Sequence, residues 1–451
     1  MDILKDLVLP QSAQNILLLK YLLFLTLLIL LPYLSVMIGS TLFSIIHFFK
    51  GRNTENKNHL LFAKELIELF TMNKVMAIGL GVVPMLSIIF SFGQLLYGSN
   101  LDVTENLVFI LLLLISGLFL IYIYKSSFGL KNITNIRSSV YELDGVKEKE
   151  FSEFQSSNSG LLAMGGVLGL VILLLVTYIL IGLLQLIIDS SQWTNTAQLW
   201  SIIFSANSFL YFLFFISMSI SVTSAIVMYK YFRDESSNKI YSNDYLNYAE
   251  KFSLQTGLIF AFVQPLLFVL SFISSPQEAL SFTFFLTAIF ILLLMLVISV
   301  LFYLMYKDSK TKLRGVAIFS FLILFATLIY KDQLAFDTAS KKQMVNLENE
   351  YIVYESSLKE KLGIAEILEI SGEDIFNGKC IACHRFDTKL VGPAYNDVLP
   401  KYSDRREELE DFILNPRKIN PDFIAMPSQG LKPNEAKAVA EYIMNSFSAN
   451  K

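Results

Sequence analysis

The sequence predicts an all-α protein with about eight transmembrane helices, followed by a small all-α domain at the C-terminal end. Composition is the first observation that predicts it: 54% of the 451 residues are hydrophobic and only 17% are charged, with a mean hydropathy of +0.54. A soluble domain carries about 25% charged residues. The second observation is a series of long apolar runs up to residue 331, each close to the roughly 20 residues that cross a bilayer.

Eight apolar runs are predicted to span the membrane. They lie near 22–49, 75–98, 105–125, 160–189, 199–230, 252–274, 281–306 and 313–331. The first run begins near Leu17 and is long for a single span, so either Pro32 kinks it or its start lies along the membrane interface. The N-terminal segment lacks the basic region of a signal peptide, so no cleavable signal is expected.

Basic residues occur in alternate loops. The loops after spans one, three, five and seven carry Lys and Arg, whereas the loops near 99–104, 190–198 and 275–280 carry neither. Because basic loops remain in the cytoplasm, both chain termini are predicted to lie outside it. In a bacterial inner membrane, the N- and C-termini would then lie on the periplasmic side.

A weak internal repeat relates the two halves of the membrane region. Span two contains Pro-Met-Leu from Pro84 with Ser-Phe at Ser91, and span six contains Pro-Leu-Leu from Pro265 with Ser-Phe at Ser271. Both motifs follow a basic loop, which suggests two four-helix bundles of the same orientation. Chance similarity between apolar sequences is the alternative explanation.

The predicted domain boundaries are a membrane domain over 1–331, a stalk or linker over 332–370 and a C-terminal domain over 371–451. Apolar positions of the middle segment recur at helical spacing among Lys and Glu: Leu347, Tyr351, Tyr354, Leu358 and Leu362. This pattern favours an amphipathic helical stalk. A partly ordered linker is the alternative.

The run from Cys380 to His384, Cys-Ile-Ala-Cys-His, contains the only two cysteines of the chain. This spacing is the attachment signature of a c-type haem, because the thiols of Cys380 and Cys383 can form thioethers with the vinyl groups while the imidazole binds the iron. A redox dithiol or a zinc site is the alternative, but zinc needs two further ligands and only His47 and His59 remain. Covalent haem is attached outside the cytoplasm, which agrees with the predicted topology.

Residues 371–451 resemble a class I, mono-haem cytochrome c. The resemblance rests on residues in the order of that family, which are Gly372 and Phe376, the haem motif, Gly392-Pro393 and Ala425-Met426-Pro427. It implies that His384 and Met426 are the axial ligands of the iron and that the Pro393 carbonyl accepts the N–H of His384. It also implies that Phe376 packs behind the haem. Met444, in the predicted last helix, is the rival sixth ligand.

The resemblance further implies one covalent haem c and no catalytic residue. With both axial positions filled, the iron has no open site for oxygen and passes single electrons. Many relatives hold a haem propionate with a Trp, but Trp193 and Trp200 both belong to the membrane region. Tyr395, Tyr402 or Arg405 is expected to take that role.

These observations predict a membrane-integral electron-transfer subunit of a respiratory or photosynthetic complex rather than a stand-alone enzyme. The expected partners are the lipid bilayer, other subunits of the complex, and redox donor and acceptor proteins. A net charge of −3 and the lack of a basic stripe argue against nucleic acid as a partner.

Two alternative functions remain open. The four-plus-four plan resembles subunits of cytochrome bd-type quinol oxidases, although no histidine pattern matches the haem ligands of that family. A quinol-oxidising subunit is therefore one alternative, with Gln264 beside Pro265 as the best quinone contact in the spans. His47 and His59 are expected to be interfacial side chains. A redox-gated transporter is the other alternative, and the shortage of charged side chains within the spans argues against it.

Overall fold

The computed structural model describes residues 10–54, 56–71, 73–99, 101, 103–140, 145–193, 204–232, 241–308, 313–362, 371–403, 405–421 and 423–449. These residues form helices and turns, and none of them lies in a β-strand. The chain divides into two compact units, Met1–Ile352 and Val353–Lys451. The all-α fold class predicted from the sequence is confirmed.

Ten helices of the described part of the chain precede residue 362. They are α1 (Ala13–Thr54), α2 (Lys57–Phe70), α3 (Lys74–Leu95), α4 (Val103–Val140), α5 (Gly145–Ile188), α6 (Ala206–Phe232), α7 (Asn243–Ile273), α8 (Phe282–Asp308), α9 (Leu313–Ala339) and α10 (Lys341–Lys361). All except α2 and α10 are long and apolar enough to cross a membrane, which makes eight candidate spans, as predicted. The predicted stalk partly coincides with α10, and its residues 363–370 lie outside the described residues.

The eight candidate spans pack as two sets of four. In the first set α1 contacts α3 and α5, and α4 contacts the same two helices; in the second set α6 contacts α7 and α9, and α8 contacts the same two helices. The sets meet where α1 and α5 pack against α6 and α9. This arrangement is the pair of four-helix bundles that the repeated proline motifs suggest.

A glycine allows the two bundles to approach closely at their centre. A Cβ atom on Gly39 of α1 would lie 2.1 Å from Thr223 Oγ1 and 2.6 Å from the carbonyl oxygen of Ser219, both on α6. Any side chain at position 39 would therefore push α1 away from α6. Small residues serve this purpose in membrane helices, where close backbone packing replaces the hydrophobic effect.

Hydrogen bonds across the spans join α6 to α7. The hydroxyl groups of Ser217 and Ser221 donate to the carbonyl oxygens of Phe260 (3.0 Å) and Gly257 (3.3 Å). Gln264 is fully buried, and its Nε2 donates to the carbonyl oxygen of Ser217 (3.5 Å). Gln264 therefore acts in the structure as a contact between helices, as buried amides commonly do in membranes.

The spans also contain a charged side chain where almost none is expected. Lys331 of α9 is only 1% exposed, and α9 continues past the predicted end of its span to Ala339. The Lys331 ammonium lies 2.9 Å from Asp332 Oδ1 and donates to the Tyr211 hydroxyl (3.3 Å). It also lies between 5.1 and 6.0 Å from the ring centres of Tyr211, Phe268 and Phe284. An opposite charge and three aromatic rings thus compensate its burial.

This arrangement predicts unequal costs for two aspartate substitutions on α9. Asp332→Asn leaves the buried ammonium without its counter-charge, whereas Asp337→Asn breaks a more exposed pair with Lys20 (2.7 Å). We expect Asp332→Asn to reduce the free energy of unfolding by at least about 1 kcal/mol more than Asp337→Asn. Thermal unfolding of the two purified variants in detergent measures the difference, and equal losses would contradict the interpretation.

The C-terminal unit is built on two crossing helices. Its helices are α11 (Gly372–Ile375), which continues as a π-helical turn (Phe376–Cys380), α12 (Tyr395–Val398), α13 (Arg406–Leu414) and α14 (Pro433–Ala449). Both α11 and α13 pack against α14. A Cβ on Gly372 would lie 2.1 Å from the carbonyl oxygen of Ala438 on α14, so only glycine permits this crossing.

Candidate functional site

The haem motif folds into one tight turn after α11. The backbone N–H groups of Cys383 and His384 both donate to the carbonyl oxygen of Cys380, at 3.1 and 3.0 Å. The N–H of Gly392 then donates to the carbonyl oxygen of Cys383 (2.9 Å), which fastens the following loop to the motif. The turn brings both thiols and the imidazole to the wall of the same cavity.

Three neighbours hold the His384 ring. Its Nδ1 lies 3.3 Å from the Pro393 carbonyl oxygen, and since a carbonyl only accepts, Nδ1 carries the proton. The Tyr395 ring stacks on the imidazole with 5.0 Å between centres and 7° between planes. A Cβ on Gly392 would lie 2.2–2.8 Å from three ring atoms. This tautomer leaves the lone pair of Nε2 free to bind a metal.

The environment of His384 favours its neutral form. Burial lowers the pKa of His384 from its ordinary value, and the hydrogen bond to Pro393 opposes that effect only partly. Neutral imidazole is the form that binds metal ions. The geometry and the protonation state of His384 therefore both suit an iron ligand.

A cavity of about 320 Å³ collects the predicted site residues. Those that line it are Cys380, Cys383, His384, Gly392, Pro393, Tyr395 and Met426. Phe376 is not among the lining residues; it is buried beside the cavity, and its ring lies 5.6 Å from Phe386 and 5.5 Å from Tyr442. The structure therefore places seven of the eight predicted residues at one cavity and Phe376 in the core beside it.

The two methionines of the C-terminal unit have different surroundings. Met426 is partly buried and lines the cavity with Ala425 and Pro427. Met444 lies on α14, packs against the core of the unit and is not among the lining residues. Of the two rival sixth ligands, only Met426 thus has access to the space in front of His384.

The sequence does not predict the charge around the cavity. Its charged lining residues in the described part of the chain are all basic: Lys379, Lys401, Arg417 and Lys418. In the sequence these cations are scattered and balanced by acidic residues elsewhere, so no periodic signal reveals them. Tyr395 and Tyr402 also line the cavity, whereas Arg405 pairs with Glu408 (3.4 Å) and does not line it. Tyr402 and the cations are therefore better placed than Arg405 to hold a propionate.

The structure brings the other two histidines together. His47 on α1 and His59 on α2 are 1% and 7% exposed, so both are buried within the protein. Their ring centres are only 5.8 Å apart. Since they lie on two different helices, no local sequence pattern predicts this contact.

Substituting Gly392 tests whether the His384 ring needs the space that a residue without a side chain leaves at this position. Gly392→Ala should displace the imidazole and destabilise the C-terminal unit by about 1–3 kcal/mol, as overpacking commonly does. Gly378→Ala is the matched control, because no atom lies within 4 Å of a Cβ at that position. The unfolding temperatures of the Gly392→Ala and Gly378→Ala variants, followed in the haem absorbance bands, should differ. Identical unfolding temperatures would show that the ring can move without cost.

The fold and the site together define a class I c-type cytochrome domain at the end of a multi-pass membrane protein. Comparisons with known proteins agree with this class. The family model described as cytochrome C oxidase, cbb3-type, subunit III matches residues 369–443. No solved structure matches the chain significantly.

The curated relatives are cytochromes whose matches cover about a sixth of this chain. Cytochrome c-551 of Pseudomonas denitrificans is 42% identical over 78 residues, which are 16% of this chain and 95% of that protein. Cytochrome c-551 of Pseudomonas aeruginosa is 36% identical over 77 residues, 16% of this chain and 74% of that protein. Cytochrome c-552 of Hydrogenobacter thermophilus is 35% identical over 69 residues, 15% of this chain and 70% of that protein.

Through this region the chain belongs to the cytochrome c family. A cytochrome c domain implies haem c, electron transfer and redox partners, and the eight apolar helices imply contact with lipid. The relatives leave the membrane unit unmatched, so its role must be argued from its own residues.

Proposed function

We propose that the protein is a membrane-integral electron-transfer subunit of a respiratory or photosynthetic complex. In this proposal it passes single electrons through one c-type haem on the periplasmic face of a bacterial inner membrane. The observation that supports it most is the cavity at which Cys380, Cys383, His384 and Met426 converge. The donor set suits haem c, since two thiols can anchor the porphyrin while an imidazole and a thioether supply the axial ligands.

Haem c supplies an iron that alternates between the ferrous and ferric states and so carries one electron. The side chains of the site determine how it does so. Pro393 and Tyr395 orient the His384 ring, and the hydrogen bond from Nδ1 makes Nε2 a better donor. Met426 would hold the iron through its thioether, which would favour the ferrous state and keep oxygen from the iron. The site therefore transfers electrons and performs no chemistry on a substrate.

The proposed orientation rests on the charges at the helix ends. Lys50 and Arg52 lie at the end of α1, Lys230 near the end of α6 and Lys307 near the end of α8. Under the positive-inside rule these ends face the cytoplasm, and an even number of spans then places both termini on the periplasmic side. Haem is attached in the same compartment, so two independent arguments agree.

Membership of a larger complex is proposed from the membrane unit and from the family model. The printed name of that model describes a subunit of a cytochrome C oxidase, and the eight spans provide much more apolar surface than anchoring requires. We propose that these helices bind other subunits, while soluble donor and acceptor proteins approach the cytochrome. A quinone would be a further partner only in the alternative function. Gln264 Nε2 donates to the carbonyl oxygen of Ser217, whereas its Oε1 is buried without a partner in the described part of the chain.

Reduction of the purified full-length chain tests the proposed function. We expect the haem absorbance to follow a one-electron Nernst curve, with rapid reduction by a small reduced cytochrome and no oxygen consumption. The chain alone should not be reduced by an added quinol. Reduction by quinol without another subunit would contradict the carrier role and favour the quinol-oxidising alternative.

A further inference from the structure

A buried pair of histidines lies at the end of α1 that bears Lys50 and Arg52. His47 comes from α1 and His59 from the first turns of α2, and the rings are 5.8 Å apart between centres. Tyr248 of α7 closes the site, with its ring centre 4.6 Å from that of His59 and 5.7 Å from that of His47. Three separate helices thus contribute one side chain each.

The walls of this site are aromatic. The rings of Phe62 and Phe252 contact His47 edge to face, with 4.9 and 4.4 Å between centres. Such a dry surrounding raises the cost of leaving a polar atom without a partner. Each nitrogen and hydroxyl of the site therefore requires an explanation.

Hydrogen bonding accounts for only one of these polar atoms. His47 Nδ1 lies 2.8 Å from the carbonyl oxygen of Phe43 and must donate to it, so the lone pair of its Nε2 is available. His59 Nδ1 and the Tyr248 hydroxyl are buried and have no partner in the described part of the chain. A histidine that donates one ring nitrogen to a backbone carbonyl is in the usual state of a metal ligand.

We propose that His47 and His59 bind a divalent transition-metal ion, with the Tyr248 hydroxyl as a third ligand. Metal–nitrogen bonds of about 2.0–2.1 Å put the centres of two imidazoles on one metal about 5 Å apart at a tetrahedral angle and at most about 6.4 Å apart. The observed separation of 5.8 Å falls within these limits. Imidazole and phenol donors favour a zinc-like ion over calcium or magnesium, which prefer carboxylate and carbonyl oxygens.

A bound ion would join α1, α2 and α7 at one end of the membrane unit. Its role is therefore structural, as a clamp between helices from both bundles.

Zinc retention by the haem-loaded full-length protein tests this site. The chain has three histidines and two cysteines, and the haem site accounts for His384 and both cysteines. His47 and His59 are then the only nitrogen ligands that remain for added zinc. After dialysis against a chelator and titration with Zn²⁺, we expect one zinc per chain beyond the haem iron.

The variants assign the bound zinc to these residues. His59→Gln should weaken zinc binding at least tenfold, and Tyr248→Phe should weaken it less. Lys57→Gln, an exposed position at the start of the same helix, should leave it unchanged. X-ray absorption of the wild-type zinc should report two imidazole ligands, a result that needs no variant to fold.

Three outcomes would overturn the proposal. They are retention of no zinc, unchanged zinc affinity in His59→Gln, and a zinc spectrum without imidazole ligands. Intact haem bands in the same samples would show that such a failure concerns this site alone and leaves the electron-transfer function untouched.

Discussion

Replacing Cys380 and Cys383 together with alanine is expected to remove all covalently bound haem from the chain. Both thiols lie in the turn that lines the cavity, and the chain has no other cysteine to replace them. Denaturing electrophoresis with a peroxidase-active haem stain checks this result. The wild type should stain at about its mass of 51.2 kDa, and the double variant should not.

The control for this experiment lies between the two cysteines. Ile381 is 46% exposed, and Ile381→Ala leaves both thiols in place, so it should stain like the wild type. Each single cysteine variant keeps one possible thioether and should stain weakly. Full staining of the double variant would mean that haem is held elsewhere in the chain, which contradicts the assigned site.

Replacing Met426 with alanine is expected to change the spin state and the potential of the haem. In the proposed site Met426 is the sixth ligand, so loss of its thioether would open that position to water or an added ligand. Because the axial ligand sets the reduction potential over a wide range, we expect the midpoint to fall by on the order of 0.1 V. A spectroelectrochemical titration of the purified variant measures both effects.

Met444→Ala is the matched control for Met426→Ala. Met444 packs against the core on α14 and does not line the cavity, so its loss should affect stability while leaving the spectrum and the potential near those of the wild type. If the Met444 variant instead lost its low-spin bands and the Met426 variant kept them, the sixth ligand would be misassigned.

Much of the cytochrome site could be predicted because its chemistry is local. The haem motif, Gly392-Pro393 and Met426 each occupy a short segment whose residue types have few other uses. The packing of the His384 ring against Gly392, and its stacking on Tyr395, depend on how separate segments of the chain fold against each other. The order of the motifs in the sequence does not predict these contacts, and the structure shows them.

The sequence predicts where the helices of the membrane unit lie, but it does not predict which polar side chains meet between them. Hydropathy and length locate the spans, because apolar length is what the bilayer requires. Lys331 marked the end of a span in the sequence, yet α9 carries it inside the protein, where Asp332 and aromatic rings surround it. The pairing of His47 with His59 arises from the packing of α2 and α7 against α1, which no periodic pattern encodes.

The most direct test of the central claim is a pyridine haemochrome spectrum of the purified full-length protein, combined with its iron content. If one covalent haem c in the C-terminal unit is the sole redox centre, the spectrum will show c-type bands only, with one haem and one iron per chain. Absence of c-type bands, or a second and non-covalent haem, would contradict the account.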